Sequence, residues 1–447
     1  MSGVTPQRAP RLLLTHSVII SVFTAAGVAA GLGLDVLIAA RFGLTATTDA
    51  LFVAETLPVI ILAAALSSGQ SVLVVALRRA LDENSGHAAL LAGLATSGAG
   101  LGMALALAGM ILSPWLVRGL APGQTAAMAQ ATANLSAIFF WQAPAVITLE
   151  VLRADLYARG HMAAAAVGNF LPGVLALALV AAAPQRGISW VAWAILAGSW
   201  AGLAWMVGAH ARLTRAWIRP NFHLQHPALR QTGRELIMPL LGLMARQSIT
   251  LAERFFGSFL PPGSIAVLGY ANKITQVAAG VLFDSLNTAS LPTLAGALAI
   301  GQRLFAHTIW RRLLRLAVLA ALGLGASLIV LSQVVGRAGD WGFGALDASA
   351  LAELARVLTV YSLAIIALGP FRAVQTAFYA ARRPQRVAAL LAVVAATTIV
   401  LDGPLSRLWG AAGLGAAFTL GLLAGLLVGW RGLKTVWESA ETHPSPF

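Results

Sequence analysis

The sequence predicts an all-α, polytopic membrane protein of about 12 transmembrane helices in two six-helix lobes. Two observations about composition carry this prediction. The 447 residues are 58% hydrophobic and only 10% charged, whereas a soluble protein carries about 25% charged residues. Apolar runs of roughly 20 residues, the length that a helix needs to cross a bilayer, recur along the chain. A third observation, the placement of the arginines, sets the orientation described below.

Hydropathy defines the predicted spans in chain order. They are approximately 12–40, 50–77, 88–113, 125–151, 162–183, 188–210, 232–258, 264–296, 312–335, 350–380, 386–401 and 409–431. The first follows Arg8 and Arg11, as in a secretory signal, but it is too long for the apolar core of one and is expected to be retained. The eleventh is short and ends at Asp402-Gly403-Pro404.

Basic residues concentrate in alternate connections between these spans. The richer set contains Arg8, Arg11, Arg78, Arg79, Arg153, Arg159, Arg212, Arg215, Arg219, Arg230, Arg234, Arg303, Arg311, Arg312, Arg315, Arg382, Arg383, Arg386, Arg431 and Lys434. The other set contains Arg41, Arg118, Arg186, Arg337 and Arg407. This asymmetry predicts that both termini are cytoplasmic. It also accounts for the net charge of +14 without a nucleic-acid partner.

The longest connection, about Ala211 to Arg230, divides the chain into lobes 1–222 and 223–447. An even number of spans in each half predicts parallel repeats. The Phe42-Gly43 pair of the first lobe matches Phe256-Gly257 of the second, and the repeat places Glu55 opposite Asn272.

Several kinds of chemistry have no support in the sequence. It lacks cysteine, its histidines are scattered, and it shows no nucleotide-binding loop, metal motif or nucleophile elbow. We therefore expect a protein that is not an enzyme and needs no cofactor. Transport would draw on a coupling ion, the membrane potential or the gradient of the substrate.

Ionisable residues within the spans are the candidate substrate-binding groups, since such charges are costly in hydrocarbon. They are Arg246, Lys273, Asp284, Arg372 and Glu55, together with the neighbouring Asn272. Uninterrupted helical periodicity would place Lys273 and Asp284 on one face, about three turns apart. A structural pairing of these charges, with one another or with the backbone, is the alternative.

A second group is expected to form gating or lobe contacts. It consists of Asp49, Glu253, Arg254 and Pro58, the last of which should kink its helix. Glu150, Arg153 and Asp155, at the end of the fourth span, are expected to form a surface cluster.

Two segments resemble a known family. FGLTATTDALFVAETLP and, more specifically, ERFFGSFLPPGSIAVLGYANKITQVAAGVLFDSLNTASLPTL are similar to the signatures of the MurJ/MviN lipid II flippases. That family belongs to the multidrug/oligosaccharidyl-lipid/polysaccharide exporter superfamily. The resemblance implies two lobes around a central cavity that opens alternately to each side of the bacterial inner membrane. It also implies an undecaprenyl-pyrophosphate-linked saccharide as substrate.

The resemblance assigns roles to three residues. Lys273 replaces an essential arginine of the family, Arg372 occupies a basic position, and Asp49 is the aspartate of the first signature. Membrane lipids and proteins of cell-wall or polysaccharide synthesis are the implied partners.

The chain also departs from the family pattern. The first span lacks the arginines that the family has around positions 27–35. Residues 60–64, which are all apolar, stand where the family has further arginines. Lipid II and a related lipid-linked glycan precursor therefore both remain as candidate substrates.

Two alternative functions are also consistent with the sequence. One is a cation-coupled exporter of small amphipathic compounds that uses Glu55, Asp35 and Asp284. The other is a transport-inactive scaffold for glycan synthesis.

Overall fold

A computed structural model describes residues 9–63, 70–83, 86–215, 221, 247–337 and 345–438. These residues are almost entirely helical. The helices are α1 (Ala9–Phe42), α2 (Ala46–Ala63), α3 (Gln70–Asp82), α4 (His87–Leu120), α5 (Ala126–Phe140), α6 (Ala143–Ala158), α7 (Met162–Ala182), α8 (Ile188–Thr214), α9 (described over 247–257), α10 (Ser264–Ala279), α11 (Ser285–Ala299), α12 (Arg303–Arg337), α13 (Ala348–Ala380), α14 (Pro384–Trp409) and α15 (Ala411–Glu438). A π-helical turn, Gly280–Asp284, joins α10 to α11.

The predicted fold class, an all-α polytopic membrane protein, is confirmed. Among the described residues, 10 helical segments are long and apolar enough to cross a membrane, with α5 and α6 counted as one segment and α10 and α11 as another. The predicted second and seventh spans are not among them. The second corresponds to α2 and α3, which are separate helices, and residues 64–69 between them lie outside the described part. Of the seventh, only 247–257 is described.

Two span limits were wrong. The eleventh span does not end before Pro404, because α14 continues through this proline to Trp409. Hydrocarbon offers no other partner for backbone groups, so a spanning helix persists through a proline that would end a helix in water. The ninth begins earlier than predicted, at Arg303, because its first turns are amphipathic and fall below a hydropathy threshold.

The described residues form two compact units. The first contains the residues up to 221 except Gly43–Asp49 and Ala121–Gly123. Those two segments belong to the second unit, together with the residues from 247 onward. The predicted lobe boundary at 222/223 lies outside the described residues and stays a prediction.

Each unit has its own apolar core. In the first unit, one cluster includes Leu77, Leu152 and Met206, which come from α3, α6 and α8. In the second, Trp310, Phe371 and other buried side chains join α12, α13, α14 and α15. Glycines at four-residue spacing allow close packing of helices there. A methyl group on Gly421, Gly425 or Gly429 of α15 would overlap atoms of α13 or α14.

Candidate substrate-binding face

The turn between α9 and α10 fixes the start of the helix that carries two of the candidate residues, Asn272 and Lys273. Gly263 has φ +94°, and a Cβ there would overlap the carbonyl oxygen of Leu44, so this position requires glycine. The Asp49 carboxylate accepts hydrogen bonds from the backbone N–H of Gly263 at 2.6 Å and of Ala266 at 2.7 Å. Asp49 therefore caps α10, whose first amide groups have no partner within the helix.

This cap lies within the second unit, because Gly43–Asp49 is part of that unit. Asp49 is only 7% exposed, and the positive charge of the Arg254 guanidinium stabilises its negatively charged carboxylate. The structure thus gives Asp49 a structural function within one unit. Its predicted role as a gating or lobe contact is untested.

A buried acidic cluster follows behind the turn. Glu253 and Arg254 are both buried, and the Tyr361 hydroxyl donates to Glu253 Oε1 at 3.3 Å. Arg254 donates to the carbonyl oxygen of Ile265 at 3.3 Å. Asp402 lies near enough to Glu253 for their charges to interact. Its own two carboxylate oxygens are buried and accept no hydrogen bond from any described residue.

Sequence reasoning missed Asp402, because it was taken as the end of a span. Its position within α14 makes it a carboxyl group inside the membrane-spanning bundle. A buried acid with no donor is costly to ionise unless a cation neutralises it. Asp402 is therefore a further candidate site residue of the second unit, beside Glu253.

The candidate cation Lys273 lies on α10 and is half-buried. One residue earlier, Asn272 Oδ1 accepts a hydrogen bond from Gln276 Nε2 at 3.0 Å. Gln276 is exposed, so this side of α10 presents a cation and two amide groups. Exposed polar groups within a spanning helix face water or a polar ligand rather than lipid.

The π-helical turn changes the predicted geometry of Asp284. A π turn contains one residue more than an α-helical turn. The side chains that follow it are therefore rotated about the helix axis by roughly 100°, relative to their positions in an uninterrupted α-helix. The expectation that Lys273 and Asp284 share a face of an uninterrupted α-helix was therefore wrong. Asp284 closes this turn, 63% of its side chain is exposed, and its Oδ1 lies 3.7 Å from Arg372 Nη1 of α13.

Arg372 is the second candidate cation that the structure places. It follows Pro370 in α13, and 35% of its side chain is exposed. One turn further along, the Thr376 hydroxyl lies 2.7 Å from Asn287 Oδ1 of α11. This hydrogen bond was not predicted, and it fixes α11 against α13 at the level of the Asp284–Arg372 pair.

Two predicted residues belong to the first unit, and a third is not described. Glu55 and Pro58 lie on α2, where Glu55 is half-buried. Arg246 is outside the described residues, so its place among the substrate-binding groups stays a prediction.

The expected surface cluster on the fourth span was also wrong, because its members are buried. Glu150 and Arg153 pair with each other, and Arg153 also donates to Asn169 of α7. Asp155 is 0% exposed. Its oxygens lie 2.7 Å from His87 Nε2, 2.8 Å from His210 Nε2 and 2.8 Å from Arg159 Nε. We call the four residues Asp155, His87, His210 and Arg159 the Asp155 junction.

Within the described part of the chain, no group of three or more His, Cys, Asp or Glu residues is arranged to hold a metal ion. The second unit combines two cations with amide and hydroxyl groups on partly exposed helix faces. Such a surface can neutralise and hydrogen-bond an anionic group.

Comparison with solved structures identifies the fold. The chain superimposes on an inward closed conformation of lipid II flippase MurJ with a TM-score of 0.78, at 16% identity, covering 94% of this chain and 88% of the other. An inward-facing multidrug resistance MATE family transporter of the MOP superfamily gives 0.76, at 14% identity, covering 93% and 96%. The chain therefore has the polytopic, helical membrane fold that these two structures share.

The sequence places it more narrowly. The family model described as lipid II flippase MurJ matches residues 38–443, and the chain belongs to that family. Probable lipid II flippases MurJ from Buchnera aphidicola and Bdellovibrio bacteriovorus are 25% and 26% identical to it over 190 and 192 residues. Each match covers 42% of this chain but only 37% and 36% of the relatives' own lengths.

Proposed function

We propose that the protein translocates a polyprenyl-pyrophosphate-linked saccharide across the bacterial cytoplasmic membrane by alternating access. The substrate is lipid II or a related lipid-linked glycan precursor, and both termini are cytoplasmic. The observation that carries the proposal is that two cations of the second unit, Lys273 on α10 and Arg372 on α13, are partly exposed within membrane-spanning segments. A pyrophosphate cannot enter hydrocarbon as a bare anion, and cations on a polar helix face lower that cost.

The residues divide this work by their chemistry. Arg372 can form two parallel hydrogen bonds to phosphate oxygens, whereas Lys273 acts as a compact charge. Asn272 and Gln276 supply amide groups that can bond sugar hydroxyls or phosphate oxygens. The polyprenyl tail remains in contact with membrane lipids throughout.

The test is rescue of a bacterium depleted of its own lipid II flippase. We expect the wild-type chain to restore growth, Lys273→Ala to abolish rescue, and Arg372→Gln to reduce it strongly. Arg356→Gln is the matched control, since Arg356 lies on the same helix α13 and is 64% exposed. Equal rescue by all four chains would refute the assignment of the cations. A well-expressed wild-type chain that fails to rescue would exclude lipid II and leave other lipid-linked glycans.

We further propose that Glu253 and Asp402 bind the cation, proton or sodium, that couples transport to an ion gradient. The support is that Asp402 is buried with no hydrogen-bond donor among the described residues. The same pair would serve a cation-coupled exporter of small amphipathic compounds. Efflux of a fluorescent cationic dye from cells that express the chain would favour this second function, and a Glu55→Gln variant would test the role of the first unit in it.

A further inference from the structure

Asp284 is held in place by its immediate neighbours in the chain. Phe283 is 1% exposed and packs in a core cluster with Ala321, Leu328 and Ile365. A methyl group added to Gly369 would lie 3.2 Å from its ring, so the helices meet closely at this point. The Asp284 carboxylate folds back toward Gly280, where a Cβ would lie 3.7 Å from Oδ2. The π turn therefore presents this carboxylate at a defined position.

Arg372, the partner of Asp284, is also fixed in position, but the two charged side chains interact only weakly. Thr376 donates to the carbonyl oxygen of Arg372 at 3.0 Å and contacts Asn287, which fixes the level of the arginine. The separation of 3.7 Å between Arg372 and Asp284 exceeds the roughly 2.7–2.9 Å of a close charged hydrogen bond. Both side chains are partly exposed, and ion pairs of this kind contribute little stability.

We propose that Asp284 is an intramolecular counter-ion of Arg372 that competes with the anionic group of the substrate. This inference rests on the proposed function and changes the role of Asp284 within it, from a substrate ligand to a competitor. When the pyrophosphate binds, it displaces the carboxylate from the guanidinium. When the pyrophosphate leaves, the carboxylate returns, so Arg372 keeps a partner at each step.

The consequence is a lower affinity and a faster release. A transport site must bind its substrate strongly enough to load it and weakly enough to unload it. Two cations facing a pyrophosphate would favour tight binding, and a carboxylate within reach of one of them reduces that affinity. The weak geometry of the pair suits this task, because a short, buried pair would exclude the substrate altogether.

The experiment measures binding and release of farnesyl pyrophosphate by the purified full-length chain, immobilised in detergent, with farnesol as the uncharged reference. Asp284→Asn should tighten binding about three- to tenfold, mainly through a slower dissociation rate. In an Arg372→Gln background, the same Asp284→Asn change should have no effect within about twofold, because the competitor then has no cation to occupy. Glu353→Gln removes the same charge from an exposed pair on α13 and should leave both rates unchanged.

The outcomes separate this inference from the proposed function. If the wild-type chain binds farnesyl pyrophosphate no better than farnesol, the proposed function fails. If it binds the pyrophosphate but Asp284→Asn weakens binding or leaves it unchanged, only the counter-ion role fails. Tightening of equal size with and without Arg372 would also overturn it, since a general change of electrostatic potential would then explain the effect.

Discussion

The two units use charged side chains in opposite ways. In the first unit, the Asp155 junction joins α4, α6 and α8, its aspartate is fully buried, and its contacts are 2.7–2.8 Å long. In the second, Asp284 and Arg372 are 63% and 35% exposed and lie 3.7 Å apart. Both sites contain a carboxylate within a membrane-spanning segment. The carboxylate of the Asp155 junction is buried and hydrogen-bonded to protein groups, whereas the Asp284–Arg372 pair is accessible to a ligand.

The positions of the protons in the Asp155 junction show that both carboxylate oxygens have hydrogen-bond donors. Arg159 Nη2 lies 3.1 Å from His87 Nδ1, and since a guanidinium only donates, that ring nitrogen accepts. His87 must then donate from Nε2 to Asp155, as assigned from the hydrogen-bond network. Each Asp155 oxygen accordingly accepts from at least one neighbour. A buried carboxylate with donors on both oxygens is suited to hold helix ends together rather than to bind a substrate.

The largest expected effect is the loss of this junction. Asp155→Asn removes the negative charge and turns an N–H group toward donors, so it should lower the free energy of unfolding by about 3–5 kcal/mol. Thermal unfolding of the detergent-purified protein measures the change. Asp82→Asn is the matched control, since Asp82 forms a pair with Arg78 in which both side chains are 59% exposed. Equal losses of unfolding free energy in the two variants would show that the buried Asp155 carboxylate stabilises the protein no more than an exposed ion pair.

An intermediate effect is expected at Asp49, whose carboxylate is buried like that of Asp155 and accepts hydrogen bonds from two backbone N–H groups. Asp49→Ala removes two acceptors from the first turn of α10 and should cost about 2 kcal/mol. Asp49→Asn keeps one acceptor and should cost less. Hydrogen exchange of the backbone amides of Gly263 and Ala266, followed by mass spectrometry, reports the cap directly. Unchanged exchange in Asp49→Ala would show that the cap does not hold this turn.

The smallest effect on stability is expected at Asp402, which is buried yet accepts no hydrogen bond from the described residues. Asp402→Asn keeps the shape and removes the charge, so unfolding should change by about 1 kcal/mol or less. Transport, in contrast, should lose its dependence on the coupling cation, as measured by uptake at varied sodium and pH in proteoliposomes. A variant that unfolds like Asp155→Asn would place Asp402 among the structural charges. Cation dependence that persists unchanged would remove it from the coupling site.

Hydropathy and charge predicted the fold class and most of the spanning helices, because the membrane imposes a minimum length of apolar sequence. They also placed Lys273 and Arg372 among the candidate site residues, a role that stays a prediction, since a charge in an apolar run stands out in the sequence alone. They did not predict the Asp155 junction. Its residues come from three helices that are distant in the chain, and charges near span ends look the same whether they face water or a neighbouring helix. The π turn was missed for a related reason, because its residues, GVLFD, match α-helical hydropathy equally well.

The segment Gly43–Asp49 has a consequence for experiments that divide the protein. The second unit is not one continuous piece of polypeptide, because it includes this segment from the first part of the chain. A fragment that begins at residue 247 would lack the Asp49 side chain that caps α10. Two halves produced as separate polypeptides should therefore complement one another only when they are synthesised together. The second unit therefore depends on a segment that precedes most of the first unit in the chain.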